Sequence, residues 1–313
     1  MKEIFDVIIL GAGPAGLSAA IYAGRGCLNT LLIEKGQDGG QIALTNDIEN
    51  YPGQSLEGES GASLVARMAA QAANFGVRRC GDTIRSVEPE GDVKKLVGVK
   101  GEYLCRTLIV ATGAQPRPIG CENEKKFVGS GISYCATCDG KFFQGLPVYV
   151  VGGGDAAVEE AIFLTKFARK VTIIHRRDQL RAAKSIQQKA FENPKIDFLW
   201  DTVVEKVDGT DVLDQMLLRN TKTGAQTWIR AEEEDGMFGL FGFIGLNPNT
   251  ALFAGLLEME NGYIRTDEDM RTNLPGVFAA GDVRVKSLRQ VITAAADGAV
   301  AAVQCEKYLT EHL

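Results

Sequence analysis

Two cysteines separated by two residues, in Ser133-Tyr134-Cys135-Ala136-Thr137-Cys138-Asp139-Gly140, are the side chains in this chain best suited to chemistry. A dithiol of this spacing closes into a disulfide that reopens readily, because closure costs little loop entropy and one sulfur commonly has a lowered pKa. Cys135 and Cys138 are therefore predicted to form a redox-active disulfide that carries electrons.

Three other interpretations of the pair are a zinc half-site, a structural disulfide and two inert core thiols. A tetrahedral zinc site needs further ligands, but the other cysteines occur singly and the only histidines are His175 and His312. A structural disulfide is uncommon in the cytoplasm, and inert thiols would leave the flanking Asp139-Gly140 unexplained. The redox interpretation is favoured, the structural ones stay open, and no metal site is predicted.

Composition narrows the partners and the compartment. A net charge of −6 without a basic stripe or tail disfavours nucleic acid as a partner. The chain begins directly with a strand pattern rather than a signal peptide, and it lacks an apolar run long enough to span a bilayer, so no membrane is expected. Seven cysteines without a secretion signal favour a cytoplasmic protein, in which a lasting disulfide is typically catalytic.

The start of the chain has the pattern of a dinucleotide-binding turn. A strand pattern, Asp6-Val7-Ile8-Ile9-Leu10, leads into Gly11-Ala12-Gly13-Pro14-Ala15-Gly16 and then into a helical pattern. Glycines of this spacing let the backbone approach a pyrophosphate, which the helix N terminus faces. A second strand pattern ends in Glu34, about twenty residues further on, where a carboxylate can accept hydrogen bonds from an adenosine ribose.

The same arrangement recurs later, with a different ribose end. Pro147-Val148-Tyr149-Val150-Val151 precedes Gly152-Gly153-Gly154-Asp155-Ala156-Ala157, where alanine takes the third glycine position. The residue that corresponds to Glu34 is basic and opens a cluster of His175, Arg176, Arg177 and Arg181. Guanidinium groups fit a phosphate that a carboxylate would repel, so this turn is predicted to prefer NADPH over NADH. A solvated basic surface is the alternative. FAD is predicted at the first turn, because a nicotinamide and a dithiol need a two-electron intermediary.

A second repeat marks where the chain passes between two domains. Gly113-x-x-Pro116 recurs as Gly245-x-x-Pro248, each after an apolar strand pattern. The chain is thus predicted to be an α/β protein with two Rossmann-like nucleotide-binding domains, the NADPH domain inserted into the FAD domain. The FAD domain is predicted to comprise residues 1–113 and 245–313, and the NADPH domain, which carries the cysteine pair, residues 114–244.

Two further helices are predicted in the FAD domain. The spacing of Leu64, Val65, Met68 and Ala72 predicts one over residues 61–74. After a strand that ends in Gly281-Asp282, Leu288-Arg289-Gln290-Val291 opens another, rich in alanine. The free amides and dipole at its N terminus are suited to stabilise negative charge on reduced flavin. Close packing through alanines is a second reason for that composition.

Together these motifs resemble those of the low-molecular-weight, bacterial-type thioredoxin reductases over essentially the whole chain. Further segments that carry the resemblance are Gly39-Gly40-Gln41 and Glu49-Asn50-Tyr51-Pro52-Gly53. The resemblance implies an NADPH-dependent thioredoxin-disulfide reductase that forms a homodimer, uses FAD and NADPH, and takes thioredoxin as its protein substrate.

The resemblance also implies the residues that bind each cofactor. FAD is expected on Gly11, Gly13, Pro14, Ala15, Glu34, Lys35, Gly40, Gln41, Asn50, Ala111, Thr112, Gly113, Gly281, Asp282, Arg289, Gln290 and Val291. NADPH is expected on Gly152, Gly153, Gly154, Asp155, Ala156, His175, Arg176, Arg177, Arg181 and Ile244.

The implied mechanism has four steps. NADPH gives hydride to the flavin, the reduced flavin opens the disulfide, a thiolate attacks the disulfide of thioredoxin, and its neighbour resolves the mixed disulfide. By the same resemblance Cys138 faces the flavin, Cys135 attacks the partner, and the inserted domain swings between two poses. Asp139, the nearest carboxyl, is predicted to act as the acid, and a turn-capping aspartate is the alternative.

Two other classes of function remain open. One is a related flavin disulfide reductase that serves a glutaredoxin-like or peroxidase-linked carrier or is fed by ferredoxin, although the phosphate-binding cluster disfavours ferredoxin. The other is a redox sensor without turnover, for which the chain offers no low-complexity arm. One departure from the family stands out: Gly239 and Gly242 occupy positions that are usually β-branched, and they are expected to weaken their strand.

Overall fold

A computed structural model describes residues 3–44, 48, 50–54 and 59–312, apart from the side chain of Leu44. Glu49, in one of the motifs above, lies outside the described residues. The chain divides into two compact units, Met1–Gln115 with Asn247–Leu313, and Pro116–Leu246. The breaks fall two residues after the predicted domain boundaries.

Both units alternate strands and helices. The strands are β1 Ile4–Leu10, β2 Thr30–Glu34, β3 Arg78–Gly81, β4 Ile84–Glu88, β5 Lys94–Gly98, β6 Glu102–Val110, β7 Ala114–Pro116, β8 Ile132–Ser133, β9 Pro147–Gly152, β10 Lys170–Ile174, β11 Ile196–Leu199, β12 Thr202–Asp208, β13 Gln215–Asn220, β14 Gln226–Arg230, β15 Gly239–Phe243, β16 Leu246–Pro248, β17 Met259–Glu260, β18 Tyr263–Ile264 and β19 Val277–Ala279. The helices are α1 Pro14–Arg25, α2 Gly61–Asn74, α3 Glu124–Phe127, α4 Ala136–Asp139, α5 Asp155–Leu164, α6 Lys184–Phe191 and α7 Val291–His312. Short 3-10 turns cover Gly40–Leu44, Gly140–Phe143, Ala251–Phe253 and Gly281–Val283. In the part of the chain that the structure describes, no helix is both long and apolar enough to cross a membrane.

The first unit is built on a sheet in which β3, β2, β1, β6 and β19 are adjacent and parallel. The early part of β6 pairs antiparallel with β5, which pairs with β4. Along β1, Val7 and Ile9 pack in the layer that holds α1, α2 and α7, while Ile8 and Leu10 pack in the opposite layer. Both faces are therefore covered, in agreement with the continuous apolar run of residues 7–10.

Three strands of this sheet end at the same edge. Leu10 of β1 lies opposite Val110 of β6, which in turn lies opposite Ala279 of β19. Ligands bind outside the carboxyl ends of parallel strands. The predicted FAD residues that follow these strands are consequently gathered at one edge of the first unit.

The second unit contains a parallel sheet in the order β11, β10, β9, β15, β8, and a separate antiparallel sheet of β12, β13 and β14. Val148 and Val150 of β9 pack in the layer of α5, while Tyr149 and Val151 pack in the layer of the antiparallel sheet. Gly152 at the end of β9 lies opposite Phe243 of β15. The predicted α/β class, with two parallel-sheet units, is confirmed.

The two glycines of β15 lie in a regularly paired strand, so the weakening expected from the sequence leaves the pairing itself intact. β15 pairs parallel with β9 over five residues and with β8 over two. A Cβ on Gly239 would lie 2.8 Å from the ring of Phe143, and one on Gly242 would lie 2.8 Å from the ring of Tyr134. The glycines thus make room for two aromatic rings.

Each Gly-x-x-Pro segment is held by a backbone hydrogen bond within one unit. Gly113 and Gly245 have φ values of +68° and +120°, which favour glycine. In the first unit the amide of Asn249 donates to the carbonyl of Gly113 at 2.9 Å, and in the second the amide of Arg117 donates to that of Gly245 at 2.9 Å. The glycines therefore redirect the chain where it passes from one unit to the other.

Candidate functional site

The predicted pairing of Cys135 with Cys138 is confirmed: the two form a disulfide with Cα atoms 5.3 Å apart. β8 leads into the pair, Cys135 has extended backbone just before α4, and Cys138 lies within that helix. Both cysteines are partly accessible. A Cβ on Gly140 would lie 3.1 Å from Leu164, so the glycine lets the chain after the pair pack closely against α5. The result is a disulfide held at the surface of the second unit.

Ser133 links the disulfide to Asp139. The Ser133 hydroxyl donates to Oδ2 of Asp139 at 2.6 Å and accepts from the amide of Cys135 at 3.1 Å. Burial raises the pKa of Asp139, and the hydrogen bond from Ser133 opposes this shift. Asp139 therefore holds a proton more readily than an ordinary aspartate, on the same short helix as Cys138. Such a carboxyl can give and take a proton near a thiol.

Glu124 and Tyr134, to which no sequence motif pointed, form a partly buried network beside the pair. The Glu124 carboxylate accepts hydrogen bonds from the amide of Ile119 at 2.7 Å, from the amide of Gly120 at 2.8 Å and from the Tyr134 hydroxyl. Burial, followed by the bond to Glu124, raises the pKa of Tyr134, so its hydroxyl stays protonated. No local pattern signals a contact between residues ten positions apart on either side of a turn.

The first glycine turn has the three features that a pyrophosphate site needs. Gly11 has φ +108°, and a Cβ there would lie 2.4 Å from the Ala111 carbonyl oxygen. A Cβ on Gly16 would lie 1.8 Å from the Gly11 oxygen, which shows how closely α1 approaches β1. Gly13 instead faces open space, with Pro14 as the first residue of α1. A phosphate can therefore approach the backbone at Gly13 and the helix N terminus.

Glu34 is anchored by the backbone at the end of β2. Its Oε2 accepts from the amide of Ala12 at 2.9 Å, and its Oε1 accepts from the amide of Gly36 at 3.0 Å. Each carboxylate oxygen has a second lone pair, which is available to a ribose hydroxyl. Lys35, next to it, is exposed. The carboxylate is thus oriented by two backbone amides.

Asp282 and Arg289, between β19 and α7, each carry a buried polar atom. Among the described residues, neither Oδ1 of Asp282 nor Nε of Arg289 has a hydrogen-bond partner. Burial raises the pKa of Asp282, which Lys286 and Arg289 oppose, while the Arg289 guanidinium lies 4.2 Å from the Tyr263 ring centroid. An unsatisfied buried acceptor and donor are costly unless a ligand pairs with them. These residues therefore fit a polar nucleotide cofactor.

Other predicted FAD residues also lie in contact within this unit. Nδ2 of Asn50 donates to Oε1 of Gln290 at 3.1 Å, which joins positions 240 residues apart just before α7 begins at Val291. A Cβ on Gly281 would lie 2.8 Å from the Cβ of Ala15. One on Gly40, in the turn that also carries Gln41, would lie 3.9 Å from Gly13.

Thr112 forms two hydrogen bonds with Asn249. Its hydroxyl donates to the Asn249 carbonyl at 2.8 Å, and the Asn249 side chain returns a bond to the Thr112 carbonyl at 2.8 Å. This pair joins the two segments of the first unit where they meet after β6. Thr112 therefore supports the edge on which Ala111 and Gly113 lie.

The second glycine turn repeats the geometry of the first. A Cβ on Gly152 would lie 2.5 Å from the Cβ of Ala157, so both positions need small residues. Gly154, in contrast, faces open space. The Gly153 carbonyl accepts from the amide of Arg181 at 2.6 Å, and Oδ1 of Asp155 accepts from the amide of Ala183 at 2.7 Å. Asp155 thus fastens the loop that carries Arg181. Ala156, in the first turn of α5, is exposed.

The predicted basic cluster divides into a buried histidine and three exposed arginines. His175 is 5% exposed, and a Cβ on Gly153 would lie 2.3 Å from its ring. Burial, with smaller effects of the arginines, lowers the pKa of His175 despite a hydrogen bond to the Gly152 backbone, so the ring is neutral at pH 7. Its Nε2 has no partner among the described residues. His175 therefore adds a buried polar group rather than a fourth positive charge.

The three arginines remain available to a ligand. Arg176, Arg177 and Arg181 are exposed, and none of them forms an ion pair with a described residue. They follow β10, whose last residue Ile174 lies opposite Val151 of β9, so they lie at the same sheet edge as the glycine turn. Ile244 follows β15 at that edge. Planar donor groups beside a glycine turn fit a phosphorylated ribose.

Comparison with known proteins agrees with these features. Residues 5–298 match the pyridine nucleotide-disulphide oxidoreductase family. The thioredoxin reductase of Peptoclostridium litorale is 55% identical over 312 residues, which cover 99% of each chain. That of Peptoclostridium acidaminophilum is 52% identical over 310 residues, covering 99% of this chain and 98% of the other. The crystal structure of thioredoxin reductase from Streptococcus pyogenes MGAS5005 superposes with a TM-score of 0.91 at 44% identity, covering 99% of this chain and 100% of that one. The resemblance inferred from the motifs is confirmed.

Proposed function

Because the chain belongs to the pyridine nucleotide-disulphide oxidoreductase family, and to the thioredoxin reductases within it, we propose that it reduces oxidised thioredoxin with electrons from NADPH. The electrons pass through FAD, which the first unit binds, and through the Cys135–Cys138 disulfide of the second unit, which also binds NADPH. The observation that carries the proposal is the partly accessible disulfide, formed on the same unit as the basic sheet edge.

The proposed binding of FAD is supported by hydrogen-bonding groups of the first unit. Gly13 and the start of α1 offer amides to a pyrophosphate, and Glu34 offers carboxylate lone pairs to the ribose. Oδ1 of Asp282 and Nε of Arg289 supply a buried acceptor and donor. FAD bound there supplies two-electron transfer between a nicotinamide and a disulfide.

The proposed preference for NADPH over NADH is supported by the basic sheet edge of the second unit. The three arginines after β10 place positive charge where a carboxylate would stand in an NADH site. Each can donate two parallel hydrogen bonds to a 2′-phosphate, and such charge-assisted bonds are about twice as strong as neutral ones. NADH lacks the phosphate and leaves these donors solvated.

Reduction of thioredoxin then proceeds by two thiol–disulfide exchanges. Once the pair is reduced, the Cys135 thiolate attacks one sulfur of the thioredoxin disulfide, which forms a mixed disulfide and releases a thiolate. Cys138 next attacks Cys135, which restores the Cys135–Cys138 bond and releases the second thioredoxin sulfur. Asp139, with its raised pKa, holds a proton that it can give to a departing thiolate and take back from a thiol. Two thiols of this chain are oxidised and two of thioredoxin are formed.

Two further parts of the proposal concern the setting. A homodimer follows from the resemblance, and a cytoplasmic location follows from the cysteine usage. Light scattering coupled to size-exclusion chromatography tests the first, since a mass near 33.7 kDa would contradict a dimer. Fractionation of the source cells tests the second.

Turnover of thioredoxin tests the main proposal. NADPH added without oxygen should bleach the flavin absorbance, and thioredoxin with a chromogenic disulfide should then give turnover that NADH supports poorly. Cys135→Ser and Cys138→Ser should abolish thioredoxin-dependent turnover and leave the bleaching by NADPH intact. Cys27→Ser, which alters an exposed free cysteine, is the matched control. Bleaching without turnover would instead favour a reductase of another carrier, and a protein that NADPH does not bleach would contradict the proposal.

A further inference from the structure

The side chain of Tyr134, the residue before Cys135, is held at both its ring and its hydroxyl. The ring covers Gly242 in the middle of the β15 pairing, where a Cβ would lie 2.8 Å from Cε1 of the tyrosine. The hydroxyl donates to Oε1 of Glu124. An aromatic ring fixed at both ends has little freedom, so the backbone that carries it is fixed as well.

Glu124 is a rigid acceptor for that hydroxyl. It is 7% exposed, at the start of α3, and its two oxygens also accept the amides of Ile119 and Gly120. A buried carboxylate with three donors is well satisfied, whereas one that loses a donor leaves part of a buried charge unpaired. Glu124 therefore fastens Tyr134 to the backbone of residues 119–120.

The backbone on either side of Tyr134 belongs to the redox site. Ser133 pairs with Phe241 of β15 through β8, and its hydroxyl contacts both Cys135 and Asp139. Cys135 comes directly before α4. An anchor at Tyr134 consequently fixes one of the two cysteines, while α4 carries the other.

We propose that Tyr134 is a positioning residue for the redox disulfide: held by Glu124 and seated on Gly242, it fixes the backbone at Cys135 and thereby favours the disulfide over the dithiol. The role in turnover rests on the proposed function. The physical reason is entropic, because a loop that is already ordered loses less freedom when its disulfide closes than a mobile one does. Loosening the anchor should make the pair easier to reduce.

The test is a redox titration of the flavin-loaded full-length protein in dithiothreitol buffers. As the Cys135–Cys138 bond is reduced, two thiols of dithiothreitol become its cyclic disulfide, so electrons and protons balance within the exchange. Alkylation of the two freed thiols, read by mass spectrometry, gives the oxidised fraction. Tyr134→Phe keeps the ring on Gly242 and removes the hydroxyl. The ratio of reduced to oxidised dithiothreitol at the midpoint should fall about fivefold, because the pair becomes easier to reduce. This change is comparable to freeing one backbone residue and equals ~20 mV for a two-electron couple.

Two further variants make the result decisive. Gly242→Ala pushes the same ring from the other side and should shift the midpoint in the same direction, so it decides the matter if Tyr134→Phe does not fold. Tyr149→Phe, in β9 of the same sheet, is the matched control: its ring packs edge-on against Phe238 at 5.1 Å, and it should keep the original midpoint. Midpoints of Tyr134→Phe and Gly242→Ala equal to that of Tyr149→Phe, even with lowered thermal stability, would overturn the proposal. Because the titration needs no thioredoxin, its result tests the role of Tyr134 separately from the proposed function.

Discussion

Nζ of Lys286 lies 2.8 Å from Oδ2 of Asp297, in an ion pair whose side chains are 8% and 11% exposed. The same oxygen accepts a hydrogen bond from the amide of Gly281 at 3.0 Å and one from Nη1 of Arg284 at 3.2 Å. Gly281 precedes Asp282, which has a buried oxygen without a partner among the residues that the structure describes. Asp297, on the second turn of α7, thus fixes the turn that presents Asp282.

Asp297→Asn should therefore weaken both the first unit and its hold on FAD. Two buried cations would lose their counter-charge, so the free energy of unfolding of the apoprotein should fall by about 3 kcal/mol. Urea unfolding measures this loss, and quenching of flavin fluorescence measures the Kd for FAD, which should rise. Glu311→Gln, an exposed carboxylate on the same helix, is the control. Lower stability with an unchanged Kd would mean that the ion pair supports the fold but not the turn.

The arginines at the second sheet edge should determine the choice of nicotinamide cofactor. Replacing Arg176, Arg177 or Arg181 singly with Gln removes a charge-assisted hydrogen bond to the 2′-phosphate, so KM for NADPH should rise about tenfold or more. KM for NADH should not change, because that cofactor has no group for the arginine to hold. Steady-state rates with both cofactors check this, with Arg230→Gln as an exposed control. Equal effects on the two cofactors would contradict the assignment.

The raised pKa of Asp139 predicts a pH dependence of stability. Since burial raises this pKa above the ordinary 3.8, the native state binds the proton more tightly than the unfolded chain does. The resulting stability is complete below pH 3.8 and is lost as the pH rises through the raised value. Asp139→Asn should remove this loss, so the difference in unfolding free energy between variant and parent should grow in the variant's favour across that window.

Ser133→Ala provides the complementary change. The Ser133 hydroxyl opposes the shift, so without it the pKa of Asp139 should rise further and the window should extend to higher pH. Urea unfolding at a series of pH values measures both variants, with Ser185→Ala, exposed on α6, as the control. Parallel curves for the parent, Asp139→Asn and Ser133→Ala would show that Asp139 does not titrate as described.

Adding a single methyl group at Gly239 in β15 should destabilise the protein. In Gly239→Ala the new Cβ would meet the Phe143 ring at 2.8 Å, and overpacking of this kind typically costs about 1–3 kcal/mol. Gly101→Ala, which has nothing within 4 Å and an ordinary φ, should be close to neutral. A double-mutant cycle with Phe143→Leu should recover part of the loss, as measured by urea unfolding. Additive effects would mean that the ring is not the cause.

Features with local causes were predictable from the sequence. The helix predicted over residues 61–74 is α2, Gly61–Asn74, and its buried side includes Leu64, Val65 and Met68 as the spacing requires. The two glycine turns and the Cys135–Cys138 pair were also found, because backbone freedom and a two-residue gap are properties of short segments. The chemistry of each segment was therefore open to prediction before its surroundings were known.

What the sequence alone determined is thus the set of local motifs and, through their order, the family. The tertiary structure decided which side chains hold these motifs in place through hydrogen bonds. Glu124 bonds to Tyr134, Asp297 to Gly281, and Asp155 to the loop that carries Arg181. It also decided that His175 is buried and neutral, and that the glycines of β15 make room for aromatic rings. Burial and contacts between distant residues exist only once the sheets have formed, and these are what set pKa values and packing.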